Sequence, residues 1–328
     1  MQYFYSQKEF EEYEYKRNLR KTANGVGLLL ILFMITELVF SLVTVIAYII
    51  SGSSAEDALE TALGMTLFNG VFSLVTFFFV GIIFCLIRKE SFAQLFPFKK
   101  VGAGHLAMLV VIGITFSLLS NYVADAIISL FEMFGLTSSY SGSVEIEGSG
   151  DIFMSYLTIA IIPALAEEFA FRGIMMGMLR KYSDAMALIV SSAIFGLMHG
   201  NIVQIPFAFC GGLVFGFIAL KTNSLLPGIL IHFFNNALSV TLDLIVNNTE
   251  MTENVANIIF NALIIVLCVL SFLFIRKILK THPDFLKFPD SNKGIPFREK
   301  MKTVCSSPTL IVYTVMIVNT TVFSEIAL

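Results

Sequence analysis

Glu167-Glu168-Phe169-Ala170-Phe171-Arg172 is the stretch on which the reading of this chain turns. It lies inside an apolar run, about 151–179, that is long enough to cross a bilayer. A charged group at the centre of such a helix costs roughly 2.5–3.5 kcal/mol on insertion scales, and it persists where it faces a protein interior or a wet cavity. Two of the chain's four histidines, His199 and His232, fall in later apolar runs of the same region, residues 163–236. The three sites together predict one polar cavity inside the membrane.

The rest of the chain supplies the membrane protein around that cavity. Of 328 residues, 56% are hydrophobic and 14% charged, and the mean hydropathy is +0.83. Soluble domains carry about 25% charged residues, so an all-α polytopic membrane protein without a large soluble domain is expected. No basic block points to nucleic acid. Cys85, Cys210, Cys268 and Cys305 are scattered and show no metal spacing, which reads as small buried side chains rather than disulfides. With no tryptophan, interface anchoring falls to Tyr, Phe, Lys and Arg. The charged start precedes an apolar run too long for a cleavable signal, and the Ser-Glu-Ile-Ala-Leu ending carries no prenylation cysteine.

A crossing helix needs roughly 20 apolar residues. Eight candidates meet this: about 24–50, 62–87, 106–133, 151–179, 184–200, 203–221, 225–246 and 255–279. Basic connections (the N-terminal tail, Arg88 to Lys100, Arg180 and Lys181, Lys221, Arg276 to Lys280) alternate with connections free of Lys and Arg. The positive-inside rule then puts both termini in the cytoplasm. The expected organisation is a tail over 1–23, a membrane domain over 24–280 with its core at 150–250, and a cytoplasmic tail over 281–328. That tail holds an apolar segment, Pro308 to Phe323, to which no role is assigned. Residues 90–100 read as an interfacial stretch and 136–150 as a flexible outer loop. Glycine pairs at four-residue spacing (Gly173/Gly177, Gly196/Gly200, Gly212/Gly216) predict tight packing among the fourth to sixth spans.

Helix geometry separates the two glutamates. Glu168 and Arg172 are four apart and share a face, so they are expected to form a structural ion pair. Glu167 stands about 140° round the helix from Arg172 and is expected to enter the cavity as the reactive carboxylate. Pro163, four residues before it, removes a backbone hydrogen bond and can kink the helix there. Phe195 and His199, and His232 and Asn236, are likewise four apart. Depths agree: Glu167 is roughly 20 Å from Arg180, His199 roughly 22 Å from Asp184 and His232 roughly 12 Å from Ser224 along their helices. Tilts and kinks then let the groups meet near one level, open to the cytoplasm.

A carboxylate, two imidazoles and a carboxamide suffice for hydrolysis of an amide or ester by water. Glu167 can take the proton, His199 can orient the water or share that proton, and His232 with Asn236 can donate to the developing oxyanion. Glu167, His199 and His232 could instead hold Zn²⁺ with an open fourth position, although no HExxH helix is present.

Glu-Glu-x-x-x-Arg, Phe-x-x-x-His and His-x-x-x-Asn, in that order on successive apolar helices over roughly residues 150–250, resemble the CPBP family. These are the CAAX protease and bacteriocin-processing intramembrane proteases, also called Abi proteins; they include type II CAAX prenyl endopeptidases and lysostaphin-resistance-like proteins. The resemblance implies an eight-helix membrane fold with a cavity open to the cytoplasm and to lipid. It assigns the general base to Glu167, its water-holding partner to His199 and the oxyanion donors to His232 and Asn236. It also implies a membrane-associated protein or peptide substrate, prenylated in some relatives, and leaves open whether the enzyme is a metalloprotease or a metal-free glutamic protease. A short charged start without an organelle-targeting extension fits a bacterial cell membrane. Two other classes compete with this reading: a non-catalytic binding or immunity protein of the same fold, and a proton-coupled transporter using the same groups as a relay.

Overall fold

A computed structural model describes residues 6–51, 70–133, 149–248, 253–288 and 294–326. Residues 52–61 between the first two expected spans, residues 62–69 of the second expected span and most of the 136–150 loop lie outside them.

The described elements are helices, without a named strand among them. The first, α1 (Gln7–Ser51), takes in the charged start and the first span as one rod. Its 45 residues rise roughly 68 Å, about twice the hydrocarbon thickness. Its polar first half is helical because charges recur one turn apart, as in Glu12 with Lys16 at 2.7 Å and Glu14 with Arg17 at 2.7 Å. There follow α2 (Gly70–Arg88), a one-turn α3 (Phe92–Leu95), α4 (Ala103–Leu119) continuing through Ser120 into α5 (Asn121–Met133), and α6 (Ile152–Arg180). Then come α7 (Asp184–Met198), α8 (Gln204–Thr222), α9 (Leu226–Asn248), α10 (Glu253–Thr281), α11 (Phe297–Cys305) and α12 (Pro308–Ile326). Large apolar side chains such as Leu38, Ile87, Ile258 and Ile265 stay exposed on the outer faces. For helices of this length and hydropathy, that is the surface lipid covers.

Among the described residues, seven helices are long and apolar enough to cross a membrane, and an eighth is reached when the bent pair α11–α12 is counted as one. The set therefore differs from the expected eight at one place. The run expected at 184–200 forms a helix of only 15 residues, roughly 22 Å long. It stops because Gly200 takes φ +62°, a left-handed conformation that glycine accepts and that turns the chain back into α8. The additional long apolar helix is α12, bent 67° from α11. It runs in the same direction as α1. Glu299 lies 3.2 Å from Lys16, Ser307 Oγ donates to Asn24 Oδ1 at 2.6 Å, and the backbone of Leu310 sits against Gly27. Part of the stretch expected as a cytoplasmic tail, α12, is thus a helix packed along α1, directed toward the end of the bundle where α1 itself ends.

The core forms where α6, α7 and α8 meet. A Cβ on Gly196 would stand 2.7 Å from Ile205 O, and one on Gly212 3.1 Å from Ser192 Cβ. Gly196, Gly212 and Gly216 let α7 and α8 close on each other and on α6, while Gly200, expected to pack with Gly196, meets no neighbour and serves the turn instead. Gly173 and Gly177 serve a different neighbour. A Cβ at Gly173 would overlap the Phe96 ring, and one at Gly177 would lie 3.0 Å from Leu95. The short α3 is thus pressed onto the helix that carries Glu167, with Phe96 stacked on Phe169 at 4.3 Å.

Candidate active site

Local irregularity in α6 sets up the site. The helix widens into π turns at Tyr156–Ile161 and Phe169–Met175, on either side of Ile162–Glu168. The first widening abuts Pro163, which has no N–H for the carbonyl four residues back; π bulges of this kind frequently mark functional sites.

The two glutamates part company. Glu168 keeps 1% of its side chain exposed and Glu167 15%. Arg172 Nη1 stands 2.9 Å from Glu168 Oε1. The guanidinium is wholly buried, 4.3 Å over the Phe195 ring and 5.4 Å from that of Phe215. None of its nitrogens makes a well-aligned hydrogen bond, so the cation is held by one carboxylate and two aromatic faces. Gly212 gives it room, because a Cβ there would sit 3.3 Å from Nη2.

His232, on α9, lies between the glutamates: Nδ1 is 3.2 Å from Glu168 Oε1 and Nε2 is 3.8 Å from Glu167 Oε2. Its ring stacks on Phe215 at 5.2 Å. His199 ends α7, with Nδ1 2.8 Å from Phe195 O. A carbonyl oxygen only accepts, so this nitrogen carries a proton, and in the neutral ring Nε2 keeps its lone pair. Asn236 Nδ2 donates to Ile159 O at 3.0 Å. Glu167, His199, His232 and Asn236 all line one cavity of about 80 Å³. The structure thus brings the four expected residues together from α6, α7 and α9, and keeps Glu168 and Arg172 behind them.

Other side chains of this cavity carry no signal that was read from the sequence. Ser117 reaches it from α4, Phe207 and Gly211 from α8, and Asn235 stands beside Asn236. Only Asn235 was open to notice, as a second carboxamide next to an expected one; a serine in an apolar span has no spacing that marks it.

The zinc alternative meets a geometric objection. The imidazoles and the carboxylate are suitable donors, yet no group of three His, Cys, Asp or Glu side chains among the described residues is placed to share an ion. Nδ1 of each imidazole is engaged, at Glu168 and at Phe195 O, which leaves Nε2 as the nitrogen either ring could offer to a ligand.

Fold and site together describe an integral membrane protein that gathers a carboxylate, two imidazoles and two carboxamides in one hollow between its helices. Residues 149–238, from just before α6 to the middle of α9, match the family model described as Type II CAAX prenyl endopeptidase Rce1-like. The match covers 90 of the 328 residues and contains Glu167, Glu168, Arg172, His199, His232 and Asn236. No curated protein and no solved structure matches the chain.

Proposed function

We propose that the protein is an intramembrane endopeptidase that cleaves a peptide bond of a membrane-associated protein or peptide with water activated by Glu167. The observation that carries this reading is the shared cavity that Glu167, His199, His232 and Asn236 all line. Glu167 takes a proton from water while the oxygen attacks the scissile carbonyl carbon. His199 Nε2 accepts the second hydrogen of that water and aims its lone pair. The carbonyl oxygen gains charge and receives hydrogen bonds from Asn236 Nδ2 and from His232. With its Nδ1 proton committed to Glu168, His232 donates from Nε2 only as imidazolium, the form with protons on both nitrogens. The proton on Glu167 then passes to the amide nitrogen as the C–N bond breaks, leaving an acid and an amine.

The surroundings support a lipid-bearing substrate near the cytoplasmic face, as in the family that residues 149–238 match. A second, wholly apolar groove of about 420 Å³ lies between α4, α8 and α10, lined by Leu109, Phe116, Leu213, Phe217, Ile275 and Phe285. It borders α4 and α8, which also border the catalytic cavity, and it is apolar enough to take an alkyl chain.

Glu167→Gln tests the reading, because it keeps size and polarity and removes only the basic oxygen. Loss of a general base removes on the order of 10²–10⁴ in kcat. Purified enzyme and variant, compared on internally quenched farnesylated CAAX-type peptides in detergent micelles, should differ by at least that lower figure with unchanged thermal unfolding. A Glu167→Gln enzyme of wild-type turnover would remove the glutamate mechanism. A binding or immunity protein would keep its phenotype in that variant.

A further inference from the structure

We infer that Ser117 and Asn235 are positioning residues that hold the Asn236 carboxamide in register, along a hydrogen-bond ladder anchored on a carbonyl that Pro163 releases. This rests on the reading of Asn236 as an oxyanion donor.

The anchor is Ile159 O. In a regular helix this oxygen would accept from the N–H of residue 163, but residue 163 is proline and has none. Asn236 Nδ2 donates to it from α9 at 3.0 Å. That contact fixes the direction of everything beyond it. A carbonyl only accepts, so the amide of Asn236, not its oxygen, faces Ile159. Asn236 Oδ1 therefore points the other way, where Asn235 Nδ2 donates to it at 3.2 Å. Asn235 Oδ1 is then turned to α4 and accepts from Ser117 Oγ at 2.8 Å. One backbone carbonyl decides both amide orientations, which the heavy-atom shapes alone leave ambiguous.

Packing one turn away holds the far end of the ladder. Gly113 is four residues before Ser117, and Ile231 is four before Asn235. A Cβ on Gly113 would overlap Ile231, so the glycine lets α4 approach α9 at just the level that delivers Ser117 to Asn235. Ser117 is fully buried, and Ser117, Asn235 and Asn236 all border the cavity.

The consequence is directional. The Asn236 amide has two hydrogens; Ile159 takes one, and the ladder sets the plane in which the other meets the cavity. Misplacement of a reacting or stabilising group by about 1 Å can cost as much as 10²-fold in rate. Ser117 touches no reacting atom in this scheme, so its loss should act on Asn236 and on kcat while substrate binding stays put.

Two measurements test this. In protein labelled with ¹⁵N-asparagine in micelles, Ser117→Ala should shift the carboxamide signals of Asn236 as well as those of Asn235, and speed their exchange with water. Asn235→Ala and Asn236→Ala assign the signals. Asn236 signals unmoved by Ser117→Ala overturn the proposal, whatever the activity. On a quenched farnesylated CAAX peptide, Ser117→Ala should lower kcat about 10-fold with KM within about two-fold, and cost nothing further in an Asn236→Ala background. Multiplicative losses in the double variant also overturn it. Should Ser117→Ala not fold, Asn235→Ala serves in the same cycle and is judged by the same coupling. An Asn236→Ala enzyme of wild-type kcat would instead sink the oxyanion assignment, and the spectra would still decide whether the ladder exists.

Discussion

Replacing Arg172 with alanine should unfold the protein before it impairs the chemistry. The guanidinium and the Glu168 carboxylate each keep 1% exposure and lie 2.9 Å apart. Removing one member of such a pair leaves the other charge buried, at about 3–5 kcal/mol. The lost contacts with Phe195 at 4.3 Å and Phe215 at 5.4 Å add to this. His232 stays beside Glu168 at 3.2 Å and offsets part of the loss. At roughly 2–4 °C per kcal/mol for a domain of this order of size, the melting midpoint should fall by on the order of 10 °C. Circular dichroism in detergent micelles reads this directly. A second variant checks the cause: Arg172→Met with Glu168→Gln removes both charges, keeps an acceptor for His232 and fills the aromatic slot, so it should recover at least half of the lost midpoint. An Arg172→Ala protein that melts within about 2 °C of wild type but has lost its turnover would refute the reasoning. Arg172 would then belong to the reacting groups rather than to their support.

Gly173→Val should displace Phe96 from its stack on Phe169 and destabilise the protein by about 1–3 kcal/mol; a midpoint equal to wild type would show that α3 is not seated on α6. Gly27→Val should separate α12 from α1, because a Cβ there already meets Leu310 N at 2.6 Å; protease protection of residues 308–326 in vesicles should fall, and unchanged protection would contradict the α1–α12 contact. Peptidase activity should survive dialysis against a metal chelator. A loss restored by Zn²⁺ alone would reinstate Glu167, His199 and His232 as ligands.

The class of fold was legible in the sequence because bilayer solvation is a one-dimensional rule. A run of about 20 apolar residues must be a helix that satisfies its own backbone in lipid, and seven of the expected runs appear as such helices. The same rule exposed the candidate site, since Glu167, Glu168, Arg172, His199 and His232 are conspicuous only against an apolar background. Composition could not show where helices end or what lies beside them. The short α7 depends on a backbone angle at Gly200. The place of α12 depends on Gly27 admitting Leu310, while hydropathy alone left Pro308 to Phe323 without a role. Gly173 and Gly177 advertised close contact without naming α3 as the partner. The ladder from Ile159 through Asn236 and Asn235 to Ser117 joins α6, α9 and α4, and its members are as far as 119 positions apart in the chain. Residue type and local period determined which segments are helices and which side chains are too costly to be idle. Only tertiary packing decided what each of them faces, because a hydrogen bond needs its partners within about 3 Å, and spacing along one helix carries no information about the next.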